Sequence, residues 1–413
     1  MTVAVRHRFV HHLINGMSTR IWAPAVLLVV LVNSFARSWA WNYEWLWAMD
    51  TLSFSSIFLV PLCAGVAAFE TGGLAMARDL HLVSPRATWA VVRTVAGVWA
   101  VAATAVLISF AVVGGYVLHT TSGLLPRMGD LLPVPLLLVI VASGCAAGGL
   151  VGWVLPSRIT PGLTVLSVFA LMMCGYIIGG GGSSGLVSVG GATGSLVGLT
   201  LAPNLMLWQY IFYIIITVCF IWFIRLSTSS TGRWQGGVAM ICALSVLGAG
   251  IGVLRSGERL VEAPVSNLVC EGSAPQVCLV PGYASRAGQV EASLHPYITA
   301  FNKVGVHVPD RVEQGISEAS EGPVLKVDSL DILDASDERA RSVMLRWFDS
   351  GRCPAWVGAM ESAPRLIIRD WMSVRVQGRS GPGAISPEFT KMSAEQQDSA
   401  LRGAVDELAH CDW

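Results

Sequence analysis

The chain is 413 residues long, 53% hydrophobic and only 13% charged, with equal numbers of basic and acidic side chains and a mean hydropathy of +0.60. A soluble domain is about a quarter charged, so a wholly soluble globule is excluded. There is no basic patch interleaved with aromatics, which excludes nucleic acid as a partner.

The zero net charge conceals an asymmetry. Residues 1–255 hold 12 Arg and 5 Asp or Glu, whereas 256–413 hold 15 basic and 22 acidic residues. The first part is a basic-edged membrane domain. The second is a mildly acidic domain, long enough for a core of its own.

The chain opens on VAVRHRFVHHLING (3–16). Val5, Phe9, Val10, Leu13 and Ile14 recur at helical spacing, with Arg6, His7, Arg8 and His12 between them. Residues 1–20 therefore read as an amphipathic helix in the cytoplasmic membrane interface, in preference to a disordered basic tail. The apolar run is too short and interrupted for a cleavable signal peptide. Apolar runs follow at about 21–38, 51–69, 92–118, 131–154, 159–178, 207–224 and 236–254. About twenty residues at 1.5 Å each cross a ~30 Å hydrocarbon core, so seven membrane helices are expected.

Basic residues in short loops set the orientation. With the N-terminus inside, Arg6, Arg8, Arg20, Arg78, Arg86, Arg93, Arg158, Arg225 and Arg233 lie inside; Arg37, Arg127 and Arg255 lie outside. The tryptophans of RSWAWNYEWLWAMD (37–50) suit an outer interfacial belt. Seven spans then place 255–413 outside the cytoplasm.

Between the second and third runs lies FETGGLAMARDLHLVSPR (69–86), five of whose side chains are Glu70, Arg78, Asp79, His81 and Arg86. Gly72 and Gly73 are expected to break the helix after Glu70. LAMARDLHLV (74–83) can form a short amphipathic helix that Pro85 stops. Mixed charge beside an apolar face suits docking against a soluble protein, although a solvated turn that merely fixes topology has the same composition.

GCAAGGLVG (144–152) puts Gly144, Gly148 and Gly152 on one helix face, a spacing that lets helices approach closely. The fifth and sixth runs are joined by GGGGSSGLVSVGGATGSLVGLTLAPNLM (179–206), which has no charge. It is too apolar for a solvated loop and too rich in Gly for a stable lipid-facing helix, since each Gly costs ~1 kcal/mol against Ala. Irregular backbone persists at membrane depth only when protein or a water-filled cavity surrounds it. A re-entrant element is expected, with Gly182, Ser183, Ser184, Gly185 and Asn204 along a pathway; a flexible linker is the alternative. GGSSG (181–185) also matches the serine-hydrolase pattern Gly-x-Ser-x-Gly. A serine nucleophile needs a base within reach, and no His occurs between His119 and His295.

Cys63, Cys145, Cys174, Cys219 and Cys242 lie in apolar runs and read as small buried hydrophobes. Cys270, Cys278, Cys353 and Cys411 lie beyond them. An even count there fits disulfides in an oxidising compartment. Cys270–Cys278 and Cys353–Cys411 are the preferred pairs among three possible pairings, and no His stands at zinc-ligand spacing. Helical periodicity runs over 278–305, 335–351 and 393–411, with Ser336 and Ser393 as N-caps and Gln396 completing a capping box. Residues 305–309, 324–327 and 365–371 read as short strands. The expected whole is an α-helical polytopic membrane protein with a small α+β or mostly α ectodomain.

No P-loop exists: Lys303, Lys326 and Lys391 follow no Gly-rich loop. No His-Glu-x-x-His occurs, so a zinc peptidase is not expected either. Charges inside the spans are almost absent apart from those at their edges, and ion-coupled carriers usually need intramembrane carboxylates or histidines, which argues against such a carrier.

The layout resembles a permease of the ATP-binding-cassette type-2 exporter superfamily. Glu70, Gly73, Leu80 or Leu82, Ser84 and Pro85 match that family's first cytoplasmic loop, Glu-x-x-Gly…Leu-x-x-(Ser/Thr)-Pro-x-x-Arg. Arg86 stands closer to the proline than the family's arginine does. The resemblance covers about residues 1–235, and implies a six-span core over 21–235 with the re-entrant element at 179–206. The span at 236–254 and the domain at 255–413 are additions. Such fused permeases resemble ones associated with actinobacteria, which suits 24 Arg against 3 Lys. The resemblance implies a coupling helix around Leu74–Val83 with Arg78 and Asp79 beside its apolar face. It further implies a cytoplasmic ATPase subunit that carries the ATP and Mg, a second permease chain, identical or related, and an amphiphilic or peptide cargo. No cofactor and no enzymatic activity are expected in this chain. An extracytoplasmic protein or peptide is the partner expected for 255–413 if the chain is instead a receptor or scaffold.

Overall fold

The computed structural model describes residues 17–36, 40–76, 87–178, 190–227, 235–263, 268–315, 323–349, 363–378 and 386–410. The amphipathic segment 3–16 lies outside them. They fall into two compact units, 1–263 and 264–413.

The first unit is helical. Its elements are α1 (Met17–Ala36), α2 (Trp45–Phe54), α3 (Ser56–Met76), α4 (Ala87–Thr120), the short α5 (Met128–Leu131), α6 (Pro133–Val154), α7 (Thr160–Ile178), α8 (Pro203–Ser227) and α9 (Gln235–Arg255). Two three-residue strands, β1 (Leu199–Leu201) and β2 (Leu260–Glu262), pair antiparallel. Among the described residues, five helical stretches are long and apolar enough to cross a membrane: Trp45–Met76, Trp89–Thr120, Met128–Val154, Thr160–Ile177 and Pro203–Ser227. Trp22–Ala36 and Ala239–Arg255 are apolar but shorter. Several long apolar helices are what a multi-pass membrane protein requires.

Side-chain contacts sort the helix ends into two sets. At one end, Trp45 donates its indole N–H to the Leu124 carbonyl and Tyr210 its hydroxyl to that of Leu132. At the other, Arg225 lies over the Trp89 ring, and Trp22, Phe69 and Pro161 line one groove. Chain direction therefore alternates from one apolar helix to the next.

The tightest seam joins α3 to α6. A Cβ at Gly144 would stand 2.5 Å from Val60 Cγ1, one at Gly148 2.0 Å from the Ala64 carbonyl, and one at Gly152 2.2 Å from that of Ala68. Both helices advance by four residues per contact, so they run parallel, and only glycine fits.

Gly72 and Gly73 do not end the second apolar helix, which continues to Met76. Gly72 is buried opposite the Gly152 carbonyl. Helix packing outweighs a propensity cost of about 1 kcal/mol per glycine.

The second unit carries a four-stranded sheet of β3 (Val269–Glu271), β4 (Gln276–Leu279), β5 (Arg311–Gln314) and β6 (Leu325–Val327). β3 pairs antiparallel with β4; β4, β5 and β6 are parallel. The crossover from β4 to β5 is α10 (Ala287–Lys303), and α11 (Ser329–Leu333), α12 (Asp337–Asp349), α13 (Ala363–Arg375), α14 (Pro387–Lys391) and α15 (Ala394–His410) follow. Phe301 packs its ring against Phe348 and Trp371 in the core. Cys270 and Cys278 face each other across the β3–β4 hairpin and are disulfide-bonded. Cys353 and Cys411 lie outside the described residues. The capping box at Ser393 and Gln396 forms as expected.

Three sequence expectations fail here. The helix read over 278–305 begins only at Ala287, and Cys278 and Leu279 belong to β4. Residues 365–371 are helix rather than strand, because Pro364, Ile368, Trp371 and Met372 are buried at helical spacing. Residues 305–309 are irregular, and the strand begins two residues later.

Candidate functional site: a clamped cap at one end of the helical unit

Of the residues singled out in 69–86, Glu70, Gly73 and Leu74 lie in the last two turns of α3, with Glu70 half-buried. Arg78, Asp79, Leu82, Ser84, Pro85 and Arg86 lie outside the described residues, as do Gly182, Ser183, Ser184 and Gly185. Asn204 is exposed in the first turn of α8.

The strongest side-chain chemistry of this unit lies elsewhere, at the opposite end. Trp41, Trp45 and Trp47 are buried in the core rather than set in an interfacial belt. They hold α2 inside the bundle. That helix carries two buried carboxylates, Glu44 at its N-cap and Asp50 one and a half turns on.

Asp50 is 0% exposed. Its Oδ2 accepts from the backbone N–H of Gly191 at 2.8 Å and of Ala192 at 2.9 Å. Its Oδ1 meets the guanidinium of Arg259, itself buried. Glu44 accepts from the Ser195 hydroxyl and from the Leu196 N–H at 2.7 Å. Trp47 donates its indole N–H to the Ala192 carbonyl at 3.2 Å. Residues 190–196 are thus held against α2 along its length. Gly190 allows this approach: a Cβ there would stand 2.0 Å from the Asp50 carbonyl.

The far side of the same segment is bound by 259–263. β1 pairs with β2, Ala202 N–H donates to the Arg259 carbonyl, and Ala263 N–H donates to that of Gly198. Residues 190–202 therefore form a cap stitched between α2 on one side and the strand after α9 on the other.

A buried ion pair costs desolvation that its attraction repays only with good geometry and further hydrogen bonds. Asp50 has both. The Ser195 hydroxyl bonds the Glu44 carboxylate as one of the ties that hold the segment, and no cluster of three or more metal-ligating side chains occurs among the described residues. What the cluster does chemically is hold uncharged, Gly-rich backbone in place by its N–H groups.

Sequence reasoning set Glu44 and Asp50 aside with the charges at span edges and did not single out Arg259. The available signal was Asp50 itself, an acid within WLWAMDTLSF, since an ionised side chain in an apolar segment demands a partner. The sequence does not say that the partner lies 209 residues on.

No protein-family model, curated protein or solved structure matches this chain.

Proposed function

We propose that the chain is the membrane permease subunit of an ATP-binding-cassette exporter. A separate cytoplasmic ATPase would drive it, and its cargo would be an amphiphile or peptide. In this reading the N-terminus is cytoplasmic, the apolar helices form a six-span core plus one, and the second unit stands outside the cell membrane. Two such chains, identical or related, frame the pathway.

The observation that carries the reading is the rod Trp45–Met76. Its 32 residues span roughly 45–50 Å at 1.5 Å each. Its far end leads into the loop 77–86, the expected seat of the ATPase. Its near end bears Glu44 and Asp50, which hold the cap. A displacement imposed at 77–86 would pass along α3 and, across the turn at Ser55, along α2 to the cap at the other end. The parallel, glycine-sealed seam makes α6 move with it. Only a difference in the motor's affinity for the two permease states can drive such a change.

Purification from native membranes in mild detergent, with mass spectrometry of the companions, tests the reading. A stoichiometric Walker-motif ATPase that Arg78→Glu removes, with membrane insertion intact, is the expected result. The second unit, with its own sheet, core and disulfide, favours one other reading: a membrane-anchored receptor or scaffold. Recovery of an extracytoplasmic protein without an ATPase would put that reading in place of the first.

A further inference from the structure

α8 and α9 are sealed together at one end and part at the other. A Cβ at Gly252 would stand 2.5 Å from the Trp208 ring, and one at Gly250 3.5 Å from that of Phe212. Midway, the thiols of Cys219 and Cys242 meet in a hydrogen bond. One turn beyond, where α8 stops and α9 starts, a groove of about 530 Å³ opens between these two helices and the end of α6. Leu150, Val154, Leu155, Phe223, Leu226 and Ala239 line it. Ser227 is the one polar lining residue among the described residues, and its hydroxyl donates to the Ile224 carbonyl. The groove opens at the polar edge of the membrane, since α6, α8 and α9 all have an end there. That edge is basic. Arg158, three residues past Leu155, is exposed, as are Arg93 and Arg225. Glu70 is the one acidic side chain among the described residues at this end.

We propose that this groove holds one acyl chain of an anionic phospholipid whose phosphate is met by Arg158. An occupant that suits both parts of the site presents an apolar chain inside and an anion at the rim. A negatively charged phospholipid has those parts in that order along the membrane normal, and basic clefts between membrane helices bind such headgroups. Guanidinium and phosphate pair through two parallel hydrogen bonds, so Arg158 selects the headgroup while the apolar walls take the tail. Arg225 keeps its place over the Trp89 ring. With Arg93 it adds to the positive field at this edge without having to touch the lipid. A soluble acidic protein would answer the arginines and leave the groove bare. A neutral lipid would fill the groove and leave Arg158 without an anion. The site needs only that the helical unit lies in a bilayer, so it stands apart from any coupling to an ATPase.

Photolabelling of the full chain in phosphatidylcholine vesicles tests it. The probe is phosphatidylglycerol with a diazirine in its acyl chain, compared with phosphatidylcholine carrying the same chain, each as a minor share of the lipid. Peptides over 150–155 and 223–227 are expected to take label from phosphatidylglycerol about five-fold more than from phosphatidylcholine, the worth of one arginine beside an anionic lipid surface. The peptide holding Leu166 and Leu171, both exposed on α7, is the reference for bulk lipid and is expected to take the two probes alike. Arg158→Gln should bring the ratio at the groove down to that of the reference. Ala239→Phe fills the groove and should remove the excess label at 150–155 and 223–227; Leu155→Phe, at an exposed position, repeats the test if Ala239→Phe fails to insert. Equal labelling by the two probes in the wild type overturns the site. So does an excess that survives Arg158→Gln, or one that survives filling of the groove.

Discussion

Gly148 shows how a single missing methyl group fixes a helix pair. A Cβ there would overlap the Ala64 carbonyl, which is backbone and cannot rotate away. Gly148→Ala is expected to cost about 1–3 kcal/mol, read as a lower melting temperature in detergent. Gly115 in α4 has nothing within 4 Å. Gly115→Ala is expected to be neutral or to stabilise by up to about 1 kcal/mol. Equal effects of the two would mean that the α3–α6 seam is not closed as described. The Asp50–Arg259 pair makes a different prediction. Asp50→Ala removes the carboxylate beside a buried guanidinium and is expected to cost about 3–5 kcal/mol. Adding Arg259→Met should restore part of that loss, because the buried charge has gone with its anion. A double-mutant cycle in which the two losses simply add would remove the pair from the account. The glycines were legible in the sequence because their four-residue spacing states the face they share. The ion pair was not, because charge partners far apart in sequence leave no local signature.

At the scale of elements, the short helix α11 couples burial to protonation. Asp331 caps it by accepting into Oδ2 from the Asp328 N–H, and the same oxygen meets Arg346, while its Oδ1 is buried without a partner. Burial pushes its carboxyl above the ordinary range; the backbone bond at Asp328 and the charge of Arg346 oppose this only in part. The folded state therefore binds the proton more tightly than the unfolded chain does. That stabilisation is full below about pH 4, the ordinary carboxylate value. It is lost as pH rises through the higher folded value. Amide protection over Asp328–Leu333, taken relative to the intrinsic exchange rate at each pH, should fall across that window, and Asp331→Asn should flatten the dependence. A fall in protection that persists in Asp331→Asn would assign it to another group. Element type was legible wherever periodicity ran long, as in α12 and α15. It misled at α13, where LII within a short window looks like strand and only Pro364 and Trp371, at its two ends, reveal the helical face. It misled again at Gly72–Gly73, because propensity describes an isolated helix and α6 supplies what those glycines lack.

For the whole molecule, composition divides the chain into a basic-edged apolar part and an acidic part, and contacts divide it into the units 1–263 and 264–413. The disulfide gives a test of where the second unit resides. Cys270→Ser frees Cys278, and an impermeant maleimide applied to intact cells is expected to label the variant beyond the wild type if this unit stands outside. No added labelling in intact cells, with labelling after lysis, would place the unit in the cytoplasm and reverse the orientation.

Hydropathy and contacts divide the chain at points a few residues apart, and the difference has a practical edge. Hydropathy ends at Arg255, so a gene cut there looks natural. Residues 256–263 fold with the bundle and bring in Arg259, β2 and the Ala263 amide. A polypeptide stopped at Arg255 would keep every apolar helix yet expose one edge of the cap and leave Asp50 without its guanidinium. Any attempt to split this gene, swap its second half or graft the bundle onto another protein therefore has its seam after Ala263. The smallest heritable piece that folds as the membrane half is longer than its hydrophobicity suggests.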